Sequence, residues 1–397
     1  MDSSKQESFD IFLSGAFFDS PIFDKAVNLL PNSILHECDE AVEQVVSRAS
    51  EMTSLDRIKI FIGTWNVNGG KNMHNVAFRN QSNMADWIFP NGTLVSVDNV
   101  DEVPEIIAIG LEELVDLNAS NLVKASTTNQ RLWAEGVRRV LQERGSYILL
   151  VVEQLVGVCL FIFVRPQLVP FIKDFAVCSV KTGMGGATGN KLGASPPLFK
   201  IGSVAFRMVV HSTSICFVCS HFAAGQNEVR DRNEDYTSAY RRIKFPHGRD
   251  IDSHDVVFWF GDFNYRINLS GDDVKKAVYS DDIERLWPYD QLLLQKSQGM
   301  VFHSFQEGRL SFPPTYKYDT FSDDYDTSEK CRTPAWTDRV LWRERRDPQC
   351  TKLIRSLGPP DSTIICSVEG AKRFPMALFP NIVAKLKEIP AHICLSK

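Results

Sequence analysis

The stretch VVFWFGDFNYRI, residues 256–267, joins an apolar run to polar residues at alternate positions. Its first five residues are typical of a buried strand, and Gly261 ends the apolar run. Asp262, Asn264 and Arg266 follow at every second position, so an extended chain would point all three to one face. The pattern predicts a core strand whose end presents a carboxylate, an amide and a guanidinium to a single site.

Four other apolar segments also carry polar residues at one end. They are IKIFIGTWNVN (58–68), PEIIAIGLEEL (104–114), SICFVCSHF (214–222) and PAWTDRVLW (334–342). The polar residues that these segments supply are Asn66, Asn68, Glu112, Glu113, His221, Asp338 and Arg339. Glu112 and Glu113 face opposite sides of an extended strand, so only one of them can enter a shared site. One such strand end is usually an ordinary turn or cap, but several in one chain favour a common site. Helical stretches between the strands indicate a layered α/β or α+β domain.

Length, composition and charge limit the class of protein. The chain has 397 residues, 44% of them hydrophobic, which suits one large domain with extensions or two domains. A formal net charge of −5 gives no reason to expect a nucleic-acid binder. Nine scattered cysteines, an odd number, favour reduced thiols in a cytoplasmic protein. We expect no signal sequence, and the most apolar stretch, 147–164, is interrupted by Glu153 and Gln154, which favours two strands over a membrane helix.

The residue types at the strand ends indicate metal-assisted chemistry on a phosphate ester. Carboxylate and amide oxygens without a Cys/His cluster suit Mg²⁺, and Asp262 could take a proton from a water that Asn264 orients. The glycine-rich loop KTGMGGATGNK, 181–191, could bring backbone N–H groups and lysines to phosphate, a plain surface turn being the alternative. It lacks the ending of a nucleotide-binding P-loop. These features fit a nuclease as well as a phosphomonoesterase.

Seven motifs in a fixed order narrow this choice. They are TWNVNGG, PEIIAIGLEELVDL, GGATGNK, SHFAAGQNEVRDRNEDY, GDFNYRI, PPTYKYD and RTPAWTDRVLW. Across roughly residues 57–191 and 202–342, the chain resembles an inositol-polyphosphate 5-phosphatase. The resemblance implies an α/β (α+β) four-layer sandwich, two packed β-sheets flanked by helices, with the DNase I-like fold of the endonuclease/exonuclease/phosphatase group. It also implies Mg²⁺-dependent removal of the 5-phosphate from phosphoinositides, such as phosphatidylinositol 4,5-bisphosphate, and from soluble inositol phosphates.

The resemblance also gives roles to individual residues. The residues that match the metal site are Asn66 and Glu113. Asp262 matches the residue that activates water, Asn264 its neighbour, and Asp338 the carboxylate that orients a catalytic histidine. The residues that match phosphate contacts are His221 and Asn190, and Lys191 and Arg339 lie in the motifs as further phosphate-binding cations. The residues that match those implicated in reading the 4-phosphate are Tyr316, Lys317 and Lys330.

Two departures from the family pattern bear on activity. Ten residues, LGASPPLFKI at 192–201, follow GNK, and their adjacent prolines predict a loop that bulges from the sheet. The family's Ser-Asp-His motif, whose Asp joins the metal site and whose His contacts the scissile phosphate, does not occur in this sequence. We therefore expect impaired activity, since one such group is worth about 10²–10³ in kcat. We also expect an uncovered sheet edge where a core strand is lost.

The sequence predicts three regions. Residues 1–56 read as a helical segment like that following a Sac phosphatase domain, 57–342 as the catalytic domain, and 343–397 as a divergent tail. The tail carries ten Lys/Arg against five Asp/Glu, and could rest on an acidic bilayer or remain solvated. We expect a cytoplasmic protein, peripherally at membranes, that acts on phosphoinositide or soluble inositol phosphate and binds no nucleic acid. The alternatives are a catalytically inactive phosphoinositide-binding isoform and, less favoured because of PPTYKYD and RTPAWTDR, a nuclease of the same fold.

Overall fold

A computed structural model describes the chain in separate ranges, which are residues 57–69, 78, 81–89, 103–115, 126–182, 202–211, 213–319, 322, 324–345, 365–369 and 389–390. The chain divides into two units, Met1–Arg57 with Ile389–Lys397, and Ile58–Glu388. The predicted helical segment 1–56, the insertion 192–201 and most of the predicted tail lie outside the described residues. The second unit contains the sandwich and the candidate site.

Thirteen strands and five α-helices occur in the described part of the chain. The strands are β1 (Arg57–Ile58), β2 (Ile60–Asn66), β3 (Ile106–Glu112), β4 (Ile148–Leu155), β5 (Val158–Val164), β6 (Ile172–Val180), β7 (Gly202–Val210), β8 (Thr213–His221), β9 (Val256–Asp262), β10 (Gln306–Glu307), β11 (Asp338–Glu344), β12 (Ile365–Glu369) and β13 (Ile389–Pro390). The α-helices are α1 (Gln81–Ile88), α2 (Thr128–Gln142), α3 (Val229–Arg242), α4 (Gly271–Tyr279) and α5 (Gln291–Ser297). Short 3₁₀ helices are Pro166–Phe171, Pro246–Gly248, Ile251–Ser253 and Ile283–Tyr289.

Two mixed sheets form the sandwich. One has the strand order β12-β2-β3-β5-β4, and the other has the order β10-β11-β9-β8-β7-β6. β2 runs parallel to β3, and β8 runs parallel to β9, so each sheet brings two carboxyl ends together. These four strands are buried along their whole length, which explains their nearly continuous apolar sequences. The apolar stretch 147–164 forms the antiparallel pair β4 and β5, as predicted, and no helix in the described ranges is long and apolar enough to span a bilayer.

Helices pack on the outer faces of both sheets. Trp65 of β2 makes edge-to-face contacts with Trp133 of α2, at a centroid distance of 5.6 Å, and with Trp87 of α1, at 5.9 Å. On the other sheet, Trp259 of β9 packs against Tyr236 of α3 at 5.1 Å. Such aromatic pairs add to the free energy gained by burying their surface. The layers are therefore helix, sheet, sheet and helix, which confirms the predicted four-layer sandwich.

Two glycines allow close approach just below the strand ends. A Cβ on Gly110 of β3 would lie 2.6 Å from Cys219 Sγ and 2.9 Å from the Phe260 ring, both on the opposite sheet. Gly261 of β9 has φ +136°, and a Cβ there would lie 2.0 Å from the carbonyl oxygen of Ser220. Gly110 thus lets the sheets touch, and Gly261 lets β9 lie against β8 immediately before the carboxylate of the opening motif.

The pairing of the last strands of the sandwich differs from the prediction at one sheet edge. β11 pairs with β9 in antiparallel fashion and sets Asp338 opposite Asp262. The predicted uncovered sheet edge was wrong, because β12 pairs in parallel with β2, with Ile365 opposite Phe61. A segment of the predicted tail therefore supplies a strand to the sheet, since any extended backbone of suitable length can pair with an open edge.

Candidate functional site

Five predicted site residues meet at one end of the sandwich. Asn66 ends β2, Glu113 follows β3, His221 ends β8, Asp262 ends β9 and Asp338 begins β11. The strand registers place His221 and Asp338 on either side of Asp262, each directly opposite it. The site is therefore assembled from both sheets by strand order and register.

Asn66 connects the two sheets at this site. Its Nδ2 donates to Asp262 Oδ2 at 2.9 Å and to Glu113 Oε1 at 3.1 Å, while its Oδ1 accepts from the backbone N–H of Asn68 at 3.0 Å. Asn68 and Glu113 have φ +46° and +51°, in the left-handed region, so the backbone turns sharply after β2 and after β3. One amide thereby holds two carboxylates at a fixed spacing.

Glu112 and Glu113 point to opposite sides, as predicted. The Glu113 carboxylate lies in the site, whereas the Glu112 carboxylate lies between the sheets and accepts hydrogen bonds from Thr64 Oγ1 at 3.1 Å and Cys219 Sγ at 3.2 Å. Burial, together with the nearby charge of Asp262, raises the pKa of Glu112 to about 8. Glu113 is thus the one of the pair that can serve a metal ion.

Asp262 is the centre of the cluster. It is 4% exposed, and its Oδ2 lies 3.4 Å from Nε2 of His221. Burial raises the pKa of Asp262, while His221, the Asn66 hydrogen bond and the Arg266 charge oppose that rise. His221 Nδ1 is also buried, and it has no hydrogen-bond partner within the described residues. A carboxylate and an imidazole therefore face a common space.

Asp338 has one oxygen without a partner. Its Oδ2 accepts from Thr337 Oγ1 at 3.0 Å, but its Oδ1 is buried and receives no hydrogen bond from any described residue. Burial raises its pKa well above the usual range, and the neighbouring carboxylates of Asp262 and Glu112 add to that rise. Buried carboxylate oxygens are normally hydrogen-bonded, so Asp338 Oδ1 is an unsatisfied acceptor among the described residues.

Asn264 and Arg266 reach the site by a different route from the one predicted. β9 ends at Asp262, and Asn264 has φ +57°, so the alternation of an extended strand does not continue. Instead, the Asn264 backbone N–H donates to Asp262 Oδ1 at 3.0 Å, and Arg266 Nη2 donates to Asn264 Oδ1 at 2.6 Å. The convergence is correct, but a local hydrogen-bonded turn produces it.

The loop PPTYKYD brings one of its predicted residues to the site. The Tyr316 ring lies under the Arg266 guanidinium, whose central carbon is 4.2 Å from the ring centroid. Lys317 follows it and is half-buried, while Lys330 is exposed. Asp326 fastens the loop through hydrogen bonds from the Ser328 N–H and from Arg332, at 3.2 and 3.0 Å. The structure thus links Tyr316 to the cluster and leaves Lys330 at the surface.

The predicted phosphate-binding role of Arg339 is wrong. Its fully buried guanidinium donates to Glu307 at 2.6 and 2.8 Å and to Asp290 at 3.0 Å. Adjacent strand residues face opposite sides, so Arg339 points away from the site that Asp338 enters. Its role lies in the fold.

Asn190 and Lys191 lie outside the described residues. Of the described residues on either side of them, Gly202, where β7 begins, pairs with His221, and the Lys181 carbonyl oxygen accepts a hydrogen bond from Arg242 at 2.7 Å. Sequence reasoning missed Gln291, whose Oε1 accepts from the Arg266 N–H at 2.9 Å and from Arg232 at 2.7 Å. Gln291 belongs to no motif, so the sequence contained no signal for it.

The oxygen atoms at the strand ends fit a hard cation held by few protein ligands. Within the described ranges, no group of three or more His, Cys, Asp or Glu residues has the geometry of a metal site. Glu113 offers a carboxylate to this cluster, and Asn66 directs its Nδ2 to that carboxylate and its Oδ1 to the Asn68 N–H. Mg²⁺ typically binds one or two carboxylates and retains several waters, so this donor set suits Mg²⁺ better than zinc.

Comparison with known proteins agrees with this geometry. The chain matches the model of endonuclease/exonuclease/phosphatase family 2 over residues 63–357. Synaptojanin of Caenorhabditis elegans is 55% identical over 100% of this chain and 39% of that protein, and human synaptojanin-1 is 50% identical over 87% and 22%. Inositol-1,4,5-trisphosphate 5-phosphatase 1 of Schizosaccharomyces pombe is 34% identical over 86% and 29%. The chain therefore spans well under half the length of these relatives.

A solved structure shows the same architecture. The inositol polyphosphate 5-phosphatase domain of SPsynaptojanin, in complex with inositol (1,4)-bisphosphate and calcium ion, has a TM-score of 0.62 and 34% sequence identity. The match covers 77% of this chain and 82% of that domain. The DNase I-like fold and the resemblance expected from the seven motifs are thereby confirmed.

Proposed function

The chain belongs to endonuclease/exonuclease/phosphatase family 2, with the synaptojanin-type 5-phosphatases as relatives, and we propose that its strand-end site hydrolyses the 5-phosphate of phosphoinositides. The observation that carries this proposal is the meeting of Asn66, Glu113, His221 and Asp262 where the two sheets end. Soluble inositol phosphates have the same phosphorylated ring and are included as substrates. Residues 57–342 and β12 would form the catalytic domain, in a cytoplasmic protein that contacts membranes peripherally.

The proposed reaction is in-line attack of water on phosphorus, with cleavage of the bond between phosphorus and the inositol 5-oxygen, which takes up a proton and leaves as a hydroxyl group. Asp262 would accept the proton of the attacking water, and Asn264 would help to orient that water through its amide. His221 would donate a hydrogen bond to a phosphoryl oxygen. The Asn66 amide keeps the Asp262 carboxylate in position, at 2.9 Å. General-base assistance of this kind contributes about 10²–10⁴ in rate.

A divalent cation is part of the proposal. Glu113 and Asn66 would hold Mg²⁺, together with waters, because a carboxylate and an amide each supply hard oxygen donors. When bound, Mg²⁺ would stabilise the negative charge that develops on the phosphoryl oxygens. The calcium ion in the solved relative belongs to that protein and supports a divalent cation at this kind of site.

Specificity for the inositol ring would come from the loop that carries Tyr316. The Tyr316 ring stacks against Arg266, and Lys317 is next in the chain, so a phosphate at position 4 would meet an aromatic hydroxyl and an ammonium group. Exposed Lys330 would reach the same phosphate from solvent. Asn190 and Lys191 would bind the scissile phosphate.

We propose that turnover is slow relative to enzymes that carry the Ser-Asp-His motif. Asp338 Oδ1 has no partner within the described chain, and that oxygen is where the family's histidine would be oriented. The same observation favours a second function, binding of phosphoinositide without turnover, because the loop of Tyr316 is intact while one catalytic partner is missing.

One assay distinguishes these functions. Phosphate release from phosphatidylinositol 4,5-bisphosphate vesicles would be measured with Mg²⁺ and with EDTA, beside vesicle sedimentation and nicking of plasmid DNA. Slow, EDTA-sensitive release supports the 5-phosphatase, and sedimentation without release supports the binding protein. Nicking of DNA without phosphate release would contradict both. Release at the full rate of a motif-bearing relative would contradict the proposed impairment.

A further inference from the structure

Arg266 lies at the junction between the catalytic cluster and the loop of Tyr316. It is 5% exposed, and no carboxylate within the described ranges forms an ion pair with it. Burying a guanidinium without an ion-pair partner is unfavourable for folding. Burial raises the pKa of both Asp262 and Asp338, and the charge of Arg266 opposes that rise in each. A buried cation in this position is better explained by function than by stability.

A continuous set of hydrogen bonds runs from Arg266 to the catalytic carboxylate. Arg266 donates to Asn264 twice, from Nη2 to Oδ1 at 2.6 Å and from Nε to the carbonyl oxygen at 3.0 Å. The Asn264 side chain is held at its other end by the Phe222 carbonyl oxygen, to which Nδ2 donates at 3.1 Å. The Asn264 N–H then donates to Asp262 Oδ1 at 3.0 Å. A shift of Arg266 would therefore move both Asn264 and Asp262.

The loop of Tyr316 contacts this set at two points. The Tyr316 ring lies against the guanidinium at 4.2 Å, where a cation and an aromatic face attract each other. The Tyr316 backbone exchanges hydrogen bonds of 3.0 and 2.9 Å with Ala335. Two residues further along, the Thr337 carbonyl oxygen accepts from the Asn264 N–H at 3.3 Å. Side chain and backbone thus both tie the loop to Asn264.

We propose that Arg266 is a positioning residue that couples the Tyr316 loop to the catalytic carboxylate, with Asn264 as the intermediate. Tyr316 then has two roles: it meets the substrate, and it holds Arg266 so that Asn264 and Asp262 keep the geometry needed for water activation. This inference rests on the proposed 5-phosphatase function of the same site. It extends that function, because it makes a recognition residue influence the rate of the chemical step.

The test compares two lipid substrates that differ only in the 4-phosphate, phosphatidylinositol 4,5-bisphosphate and phosphatidylinositol 5-phosphate, in otherwise identical vesicles. Coupling predicts that Tyr316→Leu lowers kcat on both substrates by the same factor, about tenfold to 100-fold, because small misplacements of catalytic groups are costly. Tyr316→Phe keeps the ring and should retain kcat on the substrate without the 4-phosphate. Arg266→Lys should lower kcat to a similar extent, and the double variant should lose little more than either single one.

Arg309→Ala is the matched control, because Arg309 lies over the Trp287 ring at 5.1 Å on the exposed surface. It should leave kcat unchanged, and melting temperatures would verify the fold of every variant. Loss of kcat in Tyr316→Leu only on the 4-phosphorylated substrate would overturn the coupling, as would single effects that multiply in the double variant.

A second readout separates failure of this inference from failure of the proposed function. In amide-detected NMR spectra, Tyr316→Leu should shift the backbone and side-chain amide signals of Asn264, whereas Arg309→Ala should not. These signals report on the hydrogen bonds from Arg266 and to Asp262 whether or not the protein turns over lipid. Unchanged Asn264 signals in Tyr316→Leu would overturn the coupling even in an inactive protein.

Discussion

Asn66 Nδ2, at the end of one sheet, lies 2.9 Å from Asp262 Oδ2, at the end of the other. The same nitrogen lies 3.1 Å from Glu113 Oε1, so a single amide spaces the proposed catalytic carboxylate from the proposed metal-site carboxylate. The candidate site thus lies where the ends of two separately hydrogen-bonded sheets meet. Its geometry depends on how the sheets pack as much as on the residues that line it.

Replacing Asp262 with Asn should abolish most phosphate release. The amide keeps the shape of the side chain and can still accept from Asn66, but it cannot take a proton from water. We expect kcat to fall by about 10²–10⁴, with little change in melting temperature. Asp272→Asn, which alters an exposed carboxylate on α4, is the control and should retain activity. Equal rates for Asp262→Asn and the unaltered protein would exclude Asp262 as the base.

Added imidazole should raise the rate of phosphate release. Asp338 Oδ1 is buried without a partner among the described residues. An imidazole molecule that enters the site can donate an N–H hydrogen bond to this oxygen, which would orient its ring. The gain should follow the imidazole concentration and be absent in Asp338→Asn, with Tris at the same pH and ionic strength as the buffer control. A gain of equal size in Asp338→Asn would show that imidazole acts elsewhere.

Arg339→Met should destabilise the protein without acting on substrate recognition. The substitution leaves Asp290, which is fully buried, without its main partner, and breaking a buried pair costs about 3–5 kcal/mol. The free energy of unfolding would be measured by urea denaturation. Arg230→Ala is the control, since the exposed Arg230–Glu234 pair contributes at most about 1 kcal/mol. A stable Arg339→Met protein with a raised KM would instead restore the phosphate-binding role.

Asp326 should make the stability of the Tyr316 loop depend on pH. Burial by itself would raise the Asp326 pKa, but hydrogen bonds from Ser328 and Arg332 lower it below its usual range. A lowered folded-state pKa means that the stabilisation is complete above the unfolded-state pKa, near 4, and is lost as pH falls below it. Asp326→Asn should therefore be less stable than the unaltered protein at pH 7, by about 1.5–3 kcal/mol. The difference in unfolding free energy should shrink below pH 4, and a difference independent of pH would contradict the ion-pair explanation.

The sequence was sufficient for the parts of the site that depend on local pattern. Apolar runs that end in polar residues placed Asn66, His221 and Asp262 at strand ends, and the alternation of Glu112 and Glu113 separated their roles. Parallel pairing of neighbouring strands then brought these ends together, which no single segment specifies.

The wrong predictions concern residues whose partners are distant in sequence and residues that lie next to a site residue in the chain. Arg339 shares a motif with Asp338, yet it faces the opposite side of β11, and its partners Asp290 and Glu307 are distant in sequence. Asn264 leaves the extended conformation because its side chain and N–H bind locally. β12 pairs with β2 across about 300 residues of chain, a contact that composition and periodicity do not encode.

Gly110 affects the geometry of the candidate site although it lies outside that site. The space where its side chain would be is filled by Cys219 and Phe260 of the facing sheet. Gly110 itself lies two positions before Glu112 and three before Glu113. A methyl group there would act as a wedge that tilts one strand end away from the other. The amide of Asn66 would then be unable to reach both carboxylates at once, and a substitution that removes no functional group would weaken both cation binding and water activation.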